Sequence, residues 1–189
     1  MKRLLLLIAA ASLGTAFAQE TATSIPILNP KFAMDVLTGS PGPPGQAGIT
    51  GWVVGPQSGT FKVSTNQYPN APTTGLYCAY VGNNESSGSI LQTLGATVQA
   101  NTTYILTVEV GARADYVFTG YAASLLAGNV VLASGHKATP VGGTFVTEIV
   151  VYQSGATPAQ LGQSLQILIT STGDGQVDVA GVSLTATAE

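Results

Sequence analysis

The stretch TYILTVEV, residues 103–110, decides the fold class of this chain. Large apolar side chains stand at every second position from Tyr104 to Val110, and Thr107 and Glu109 fall on alternate positions between them. A period of two is the pattern of a β-strand with one buried face. The same alternation returns in FVTEIVV, residues 145–151, and in LQILI, residues 165–169.

Working outward, further strands are predicted on both sides of this stretch, and turns rich in glycine and asparagine separate several of them. These strands are Ile25–Leu28, Gly51–Val54, Gly59–Ser64, Leu76–Val81, Ser89–Leu94, Val117–Leu126, Val130–Ser134 and Gln176–Thr187. No segment shows a sustained 3.6-residue apolar period. Many short strands at this spacing are typical of a β-sandwich or barrel, so the sequence predicts an all-β fold.

The N-terminus has the features of a secretory signal peptide. A basic pair precedes an uncharged apolar run, Leu4–Leu13, and Ala16-Phe17-Ala18 supplies the small residues that signal peptidase accepts. The run is roughly half of the ~20 residues that cross a bilayer. We therefore expect residues 1–18 to be a signal peptide, residues 19–189 to form a single β-sandwich domain without a transmembrane anchor, and the protein to be secreted or periplasmic.

Charge and cysteine content exclude several classes of protein. Removing residues 1–18 takes away two of the six Lys and Arg and leaves all nine Asp and Glu, so the formal charge becomes −5. Nucleic acids and anionic lipid surfaces are bound by basic patches, so neither is an expected partner. Cys78 is the only cysteine. A disulfide framework is therefore excluded, and we expect a buried thiol inside its strand.

No catalytic motif stands out. His136 is the only histidine, and Ser134-Gly135-His136 has the character of a strand end and an exposed turn. There is no nucleophile elbow, no Cys/His zinc spacing and no phosphate loop. Glu109 and Glu148 fall on strands, where we expect both to point outward into solvent. The residues therefore predict no enzyme.

Several short segments, spread over almost the whole mature chain, together carry a resemblance to a known family. They are Ile27–Phe32, Gly51-Trp52, Gln67-Tyr68-Pro69, Gly88–Leu94, Ala100–Tyr104 running on to Arg113, and Val177–Leu184. In this order they resemble the galactose-binding-like jelly roll, and more narrowly the bacterial carbohydrate-binding modules of family 4/9 type in exported proteins. The resemblance implies an antiparallel jelly-roll β-sandwich. Independently of it, Trp52 is a large apolar side chain at the start of a predicted strand, and it fits a core plug between two sheets.

The resemblance also raises the question of calcium. Members of this superfamily commonly hold a structural calcium ion near the meeting point of the first and last strands. The positions of the acidic residues in that pattern are Ala33 and Ala180 here. Asp35 and Asp178 lie nearby in sequence and are the candidate ligands, since calcium prefers several oxygen ligands. The alternative is that both are solvated surface charges, so no cofactor is predicted and calcium stays open.

A binding function has more support than a catalytic one. Sugars are commonly held by aromatic rings with amides and charged groups beside them. Tyr68 is the leading residue because it lies in a loop rich in proline and asparagine with no strand to bury it, although for each tyrosine taken alone a core or interface packing role is favoured. The candidate ligand-binding residues are Tyr68, Asn66, Asn70, Tyr77, Gln92 and Arg113.

The sequence therefore predicts a secreted, non-catalytic module that binds carbohydrate or cell-envelope polysaccharide. The alternative is a structural or adhesive extracellular envelope protein that makes protein–protein contacts. Buried loop aromatics would count against the first interpretation. A large exposed apolar patch would favour the second, and a cleft gathering His136 with carboxylates would favour an enzyme.

Overall fold

Two antiparallel β-sheets build the protein, seen here in a computed structural model that describes residues 21–35, 48–71, 76–83 and 86–189. The predicted signal peptide, residues 1–18, lies outside the described residues. The strands are β1 (Thr23–Ser24), β2 (Val53–Val54), β3 (Ser58–Lys62), β4 (Tyr77–Val81), β5 (Ser89–Thr97), β6 (Thr102–Ala112), β7 (Tyr121–Ala127), β8 (Val130–Gly135), β9 (Thr144–Gln153), β10 (Ser164–Ser171) and β11 (Val177–Ala188).

The strands divide into two layers. The first sheet has the order β3-β4-β11-β6-β9, and β1 pairs with the C-terminal part of β11. The second sheet has the order β2-β5-β10-β7-β8. The described part of the chain contains no helix, and hence none that is long and apolar enough to cross a membrane. The predicted all-β, antiparallel sandwich is confirmed.

The core lies between the two sheets and follows the period-two pattern. Tyr104, Leu106, Val108 and Val110 of β6 all face inward and are at most 1% exposed. Trp52 is also buried: its ring lies 5.5 Å from that of Phe32, and its indole N–H donates to the Leu28 carbonyl at 3.1 Å. The prediction of Trp52 as a core plug is confirmed.

Two predicted strands differ from the structure: residues 25–28 follow β1 (Thr23–Ser24) without forming a strand, and residues 117–120 precede β7 (Tyr121–Ala127). After Ile25, whose N–H donates to the Leu184 carbonyl, the chain reaches Pro26, which has no N–H to continue a ladder. The pairing with β11 therefore does not extend to Leu28. Residues 117–120 bond instead to the turn before β11, since Val117 accepts from the N–H of Gln176.

The outer face of the first sheet carries a second buried cluster, made of Phe61, Val63, Tyr68 and Cys78. The residues 64–71, which we name the covering segment, fold over it. Within this segment the N–H of Tyr68 donates to the Ser64 carbonyl at 3.0 Å. The N–H of Ala114 donates to the Gln67 carbonyl at 2.9 Å and so ties the segment to the end of β6. This cover removes part of a sheet face from water.

Candidate functional site

A buried carboxyl group lies at the centre of this covered face. Side chains alternate along β11, so Val177 and Val179 enter the core while Asp178 points to the outer face. Asp178 is only 1% exposed. Its Oδ2 accepts from the Tyr68 hydroxyl and its Oδ1 from the Gln176 amide, each at 2.6 Å. Burial raises the pKa of Asp178 to about 6, although these donors act in the opposite direction.

Tyr68 covers the Asp178 carboxyl group on the outer face of the first sheet. Its ring lies parallel to that of Phe145, with the centroids 4.2 Å apart and the planes at 12°. Gly111 of β6 is opposite Asp178 in the sheet, and a Cβ there would stand 2.7 Å from the Tyr68 hydroxyl oxygen. Glycine therefore leaves the space through which the hydroxyl reaches Asp178. Burial, and then the charge of Asp178, raise the pKa of Tyr68 far above its ordinary value, so the hydroxyl stays a donor.

A fixed positive charge borders this pair. Arg113 follows Gly111 by two residues and is bound by Asp115 through two hydrogen bonds, Nε to Oδ1 at 2.9 Å and Nη2 to Oδ2 at 2.8 Å. The guanidinium carbon lies 4.9 Å from the ring centroid of Tyr116 and 5.8 Å from that of Phe61. Burial would lower the pKa of Arg113, but the hydrogen bond and charge of Asp115 raise it on balance, so the cation is permanent.

An open cleft of about 360 Å³ lies on the same outer face. Gly181, Lys31 and Glu109 are among the residues that line it. Glu109 precedes Gly111 by two residues on β6, which places it about 7 Å from the level of Asp178 along the strand. Thr147 donates to Glu109 at 2.8 Å across the neighbouring strand. The cleft therefore lies on the same sheet face as the buried acid, two residues along β6 from the strand position opposite Asp178.

In a second tyrosine–carboxylate pair, Tyr121 and Glu148, the pKa of the carboxyl group is shifted in the opposite direction. Glu148 points inward from β9, is 5% exposed, and accepts from the Tyr121 hydroxyl at 2.5 Å. The N–H groups of Lys137 and Ala138 also donate to it, at 2.9 and 2.7 Å. Burial alone would raise the pKa of Glu148, but these donors hold it below its usual value. The prediction that Glu148 points into solvent is wrong, because the loop after β8 supplies buried donors for it.

The two pairs therefore have different roles. Glu148 stays ionised and anchors residues 137 and 138, whereas Asp178 exchanges its proton close to neutral pH. Where the surroundings of two carboxyl groups shift their pKa values in opposite directions, the group with the raised pKa is the one suited to acid–base chemistry near neutral pH. His136 is exposed, as predicted. Asp178 is thus the candidate catalytic acid of the described residues.

The structure gathers only part of the residue set predicted from the sequence. Tyr68 and Arg113 lie in the cluster around Asp178, and the expectation of Tyr68 as an exposed loop ring is wrong, since it is 0% exposed. Asn66 and Asn70 lie exposed on the covering segment, away from the buried pair. Tyr77 and Gln92 lie elsewhere in the fold.

Tyr77 and Gln92 belong to the main core region. Tyr77 packs half-buried against that core. The Gln92 amide nitrogen donates to the carbonyls of Leu28 at 2.8 Å and Gly51 at 3.0 Å, while its oxygen accepts from the Leu28 N–H at 2.8 Å. Gln92 therefore has its amide committed to backbone groups of two loops.

The two carboxylates named for calcium have separate partners. Asp35 accepts from the Thr50 hydroxyl at 2.6 Å, the Thr50 N–H at 3.0 Å and the Asn29 amide at 3.2 Å. Both oxygens of Asp178 face the donors of Tyr68 and Gln176. Nowhere in the described ranges do three His, Cys, Asp or Glu side chains gather as a metal site. Asp35 and Asp178 therefore have no hydrogen-bond partner in common, and Asp178 is not a solvated surface charge.

The sequence contained one feature that could have pointed to Asp178. Asp178 interrupts an apolar strand between Val177 and Val179. A charged residue there indicates an outer face, but the pattern does not say whether that face is wet or covered. The covering segment that makes the difference comes from residues more than a hundred positions earlier, as the 110-residue separation of Tyr68 and Asp178 shows.

Comparisons with known proteins give the family context. Residues 23–185 match the family model HpiC1-like, described as HpiC1 cyclase. A Stig cyclase, Fisc, from Fischerella sp. TAU in complex with (3Z)-3-(1-methyl-2-pyrrolidinylidene)-3H-indole is 27% identical, with a TM-score of 0.78 over 89% of this chain and 100% of that one. A cyclase from the same organism in complex with 4-(1H-indol-3-yl)butan-2-one is 28% identical, with a TM-score of 0.73 over 88% and 99%. Among curated proteins no match is found.

The fold likeness extends to carbohydrate-binding proteins. TmCBM61 in complex with β-1,4-galactotriose aligns with a TM-score of 0.55 at 12% identity, over 86% of this chain and 98% of that one. This likeness supports the predicted galactose-binding-like jelly roll, and it shows the fold alone. The narrower assignment to family 4/9 modules is not supported.

The same matches correct the functional predictions. The predicted non-catalytic module for carbohydrate or cell-envelope polysaccharide is wrong, because the matching family model describes a cyclase. The prediction that the protein is not an enzyme is wrong for the same reason. A polysaccharide partner is also wrong, since the similar solved structures are cyclases whose bound molecules are small indoles. The structural or adhesive alternative has no support from these matches.

Proposed function

The chain belongs to the HpiC1-like cyclase family, and we propose that it is an enzyme that closes a ring in a small apolar aromatic molecule, with Asp178 as the catalytic acid. The observation that carries the proposal is the buried pair of Asp178 and Tyr68 on the outer face of the first sheet. A carboxyl group whose pKa is raised to about 6 keeps a useful protonated fraction near neutral pH.

The proposed reaction is an isomerisation, so its atoms and electrons balance without a co-reactant. The carboxyl of Asp178 gives its proton to a carbon–carbon double bond of the substrate, whose π electrons form the new C–H bond. The resulting cation is attacked by a second π bond, which makes the ring-closing C–C bond. A neighbouring C–H then returns a proton to the Asp178 carboxylate, and the enzyme is restored.

The groups around Asp178 suit these steps. The Tyr68 hydroxyl hydrogen-bonds to Oδ2 and stabilises the carboxylate left after proton transfer. The stacked rings of Tyr68 and Phe145 offer π electrons to a cationic intermediate. Burial keeps water away from such an intermediate. This exclusion is needed because a carbocation in contact with water is captured before it can cyclise.

The substrate class follows from the similar cyclases. Their bound molecules both contain an indole ring, and we extend that class to this chain. A flat aromatic ring suits the apolar wall of Tyr68 and Phe145, and the cleft beside Glu109 and Gly181 has room for the remainder of the molecule.

Access to Asp178 requires movement of the covering segment. Tyr68 and Asp178 are 0% and 1% exposed, so a substrate reaches the acid only when the covering segment shifts outward, and the segment then closes so that the Tyr68 hydroxyl again donates to Asp178. The bond from the Ala114 N–H to the Gln67 carbonyl is the tie that such a movement has to loosen. As part of the same proposal, we place the reaction outside the cytoplasm, because the N-terminus has the pattern of a secretory signal peptide.

The test combines binding and turnover. Purified protein is titrated with 4-(1H-indol-3-yl)butan-2-one and is incubated with a panel of alkenyl indoles, with mass spectrometry used to find cyclised isomers of unchanged mass. We expect Asp178→Asn to lower the turnover of an accepted substrate by roughly 10²–10⁴-fold while the indole ketone still binds. Asp174→Asn, which changes an exposed carboxylate on the preceding turn, should retain wild-type turnover.

Two results would overturn the proposal. Equal turnover by Asp178→Asn and the wild type would remove Asp178 as the acid. A folded wild-type protein that neither binds the indole ketone nor converts any member of the panel would reject the substrate class.

A further inference from the structure

Arg113 is the buried cation of the acid cluster, and the proposed reaction gives it no direct part. Its side chain is 7% exposed, whereas that of its partner Asp115 is 51% exposed. Arginine is rarely buried to this degree unless it is paired, and its guanidinium suits buried ion pairs and stacking on aromatic rings. Two aromatic rings and a two-point hydrogen bond fix its position.

The sheet places this cation on the same side as the acid. Gly111 pairs with Asp178, and Arg113 follows two residues later, so its side chain leaves the chain on the same outer face. Phe61, which the guanidinium covers, belongs to the cluster that also contains Tyr68 and Cys78. The guanidinium and the Asp178 carboxyl therefore border the same buried group of side chains.

We propose that Arg113 is a positioning residue that sets how strongly Asp178 holds its proton, and that Asp115 moderates this effect by neutralising part of the guanidinium charge. The positive charge favours the Asp178 carboxylate and so opposes burial, which favours the neutral acid. Asp115 holds the guanidinium in place and adds a negative charge of its own. The inference rests on the acid role proposed for Asp178, but it can be measured without any substrate.

The other groups facing Asp178 do not supply a compensating positive charge. The covering segment contributes the Tyr68 hydroxyl, β4 contributes the Cys78 thiol and Tyr80, and β11 contributes the neutral Gln176 amide. Burial raises the pKa values of Cys78 and Tyr80, so both stay protonated and uncharged. In line with the geometry, Arg113 lowers the pKa of Asp178 and Asp115 raises it, both after the larger effect of burial.

This arrangement predicts shifts of opposite sign at two neighbouring positions. Arg113→Met removes the positive charge and should raise the pKa of Asp178. Asp115→Asn removes a negative charge and should lower the pKa of Asp178. Arg113→Lys keeps the charge and should leave the pKa of Asp178 nearer the wild-type value than Arg113→Met does.

The experiment follows the carboxyl carbon of Asp178 by ¹³C NMR in the substrate-free protein as the pH is varied, with Asp178→Asn used to assign the signal. Lys137→Met removes an exposed positive charge from the loop after β8 and should not move the midpoint. For an accepted substrate, the midpoint of the pH–rate profile should shift in the same direction as the NMR midpoint in each variant.

Unchanged midpoints in Arg113→Met and Asp115→Asn, or shifts of the same sign in both, would overturn the inference. Asp115→Asn keeps the test decisive if Arg113→Met does not fold, because Asp115 is half-exposed and its predicted shift has the opposite sign. If the midpoints shift as expected while no indole is converted, the electrostatic inference stands and the proposed function fails.

Discussion

Gly111 offers a sharp test of how the acid cluster is built. It is the strand residue opposite Asp178, and its missing side chain leaves room for the stacked rings of Tyr68 and Phe145. A Cβ at this position would stand 2.6 Å from Phe145 Cδ1 and 2.7 Å from the Tyr68 hydroxyl oxygen. Both distances are well below ordinary van der Waals contact. Gly111→Ala should therefore force the two rings away from the sheet.

The magnitude follows from that overlap. Ordinary contact begins at 3.4 Å, so the Phe145 ring has to move by more than 0.8 Å, the difference between 3.4 Å and the 2.6 Å of Cδ1, because Cε1 would lie closer still. Overpacking of a well-filled region costs roughly 1–3 kcal/mol. For a domain of this size, each kcal/mol lowers the melting temperature by about 2–4 °C. We therefore expect Gly111→Ala to melt several degrees below the wild type and to weaken the bond from Tyr68 to Asp178.

Gly181 provides the matched control on the same sheet. It pairs with Glu109 on the same two strands, and a Cβ there would meet only ordinary contacts at 3.8 and 3.9 Å. Gly181→Ala should be neutral or stabilising by up to about 1 kcal/mol, because alanine restricts the unfolded chain. Thermal and urea unfolding of both variants make the comparison. The reasoning is refuted if Gly111→Ala is as stable as the wild type, or if both variants lose stability equally.

Two further predictions concern the buried carboxyl groups. The pKa of Asp178 is raised from 3.8 to about 6 in the folded state, so its contribution to stability is complete below pH 3.8 and is lost as the pH rises through 6. A pKa shift of about two units is worth about 3 kcal/mol. The free energy of urea unfolding of the wild type, relative to that of Asp178→Asn, should therefore fall by up to this amount between about pH 4 and pH 7. A difference between the two proteins that does not change with pH would contradict the assigned burial of Asp178. Glu148→Gln weakens the hydrogen bonds from Tyr121 and from the N–H groups of residues 137 and 138, which should cost about 1–3 kcal/mol in the same assay. The control is Glu109→Gln, whose partner Thr147 is exposed, and equal losses in the two variants would argue against an anchoring role for Glu148.

The strand pattern was readable because it depends on local alternation. A side chain every second residue faces the core in a half-buried strand, so the stretch from Tyr104 to Val110 identifies its inward face without knowledge of its neighbours. Two of the places where the predicted strands do not match the structure depend on pairing. Pro26 ends one ladder, and residues 117–120 bond to a turn instead of a strand.

The roles of charged residues were harder to read for a physical reason. Glu109 and Glu148 lie on neighbouring strands with similar surroundings in sequence, yet one lines an open cleft and the other is buried against two backbone amides. Burial and hydrogen-bond partners come from distant segments. A strand sequence shows only that a carboxylate is present.

What the sequence alone determined is the all-β architecture, the inward faces of the stretches Tyr104–Val110 and Leu165–Ile169, and Trp52 as a core residue, because alternation and residue size act locally. Only the tertiary structure decided that Asp178 is an acid with a raised pKa. That result requires the segment around Tyr68 to fold over the outer face of β11. It also requires the end of β6 to bring Arg113 to the same group of side chains as Asp178. Desolvation depends on everything packed around a group, and for Asp178 those neighbours lie far away along the chain.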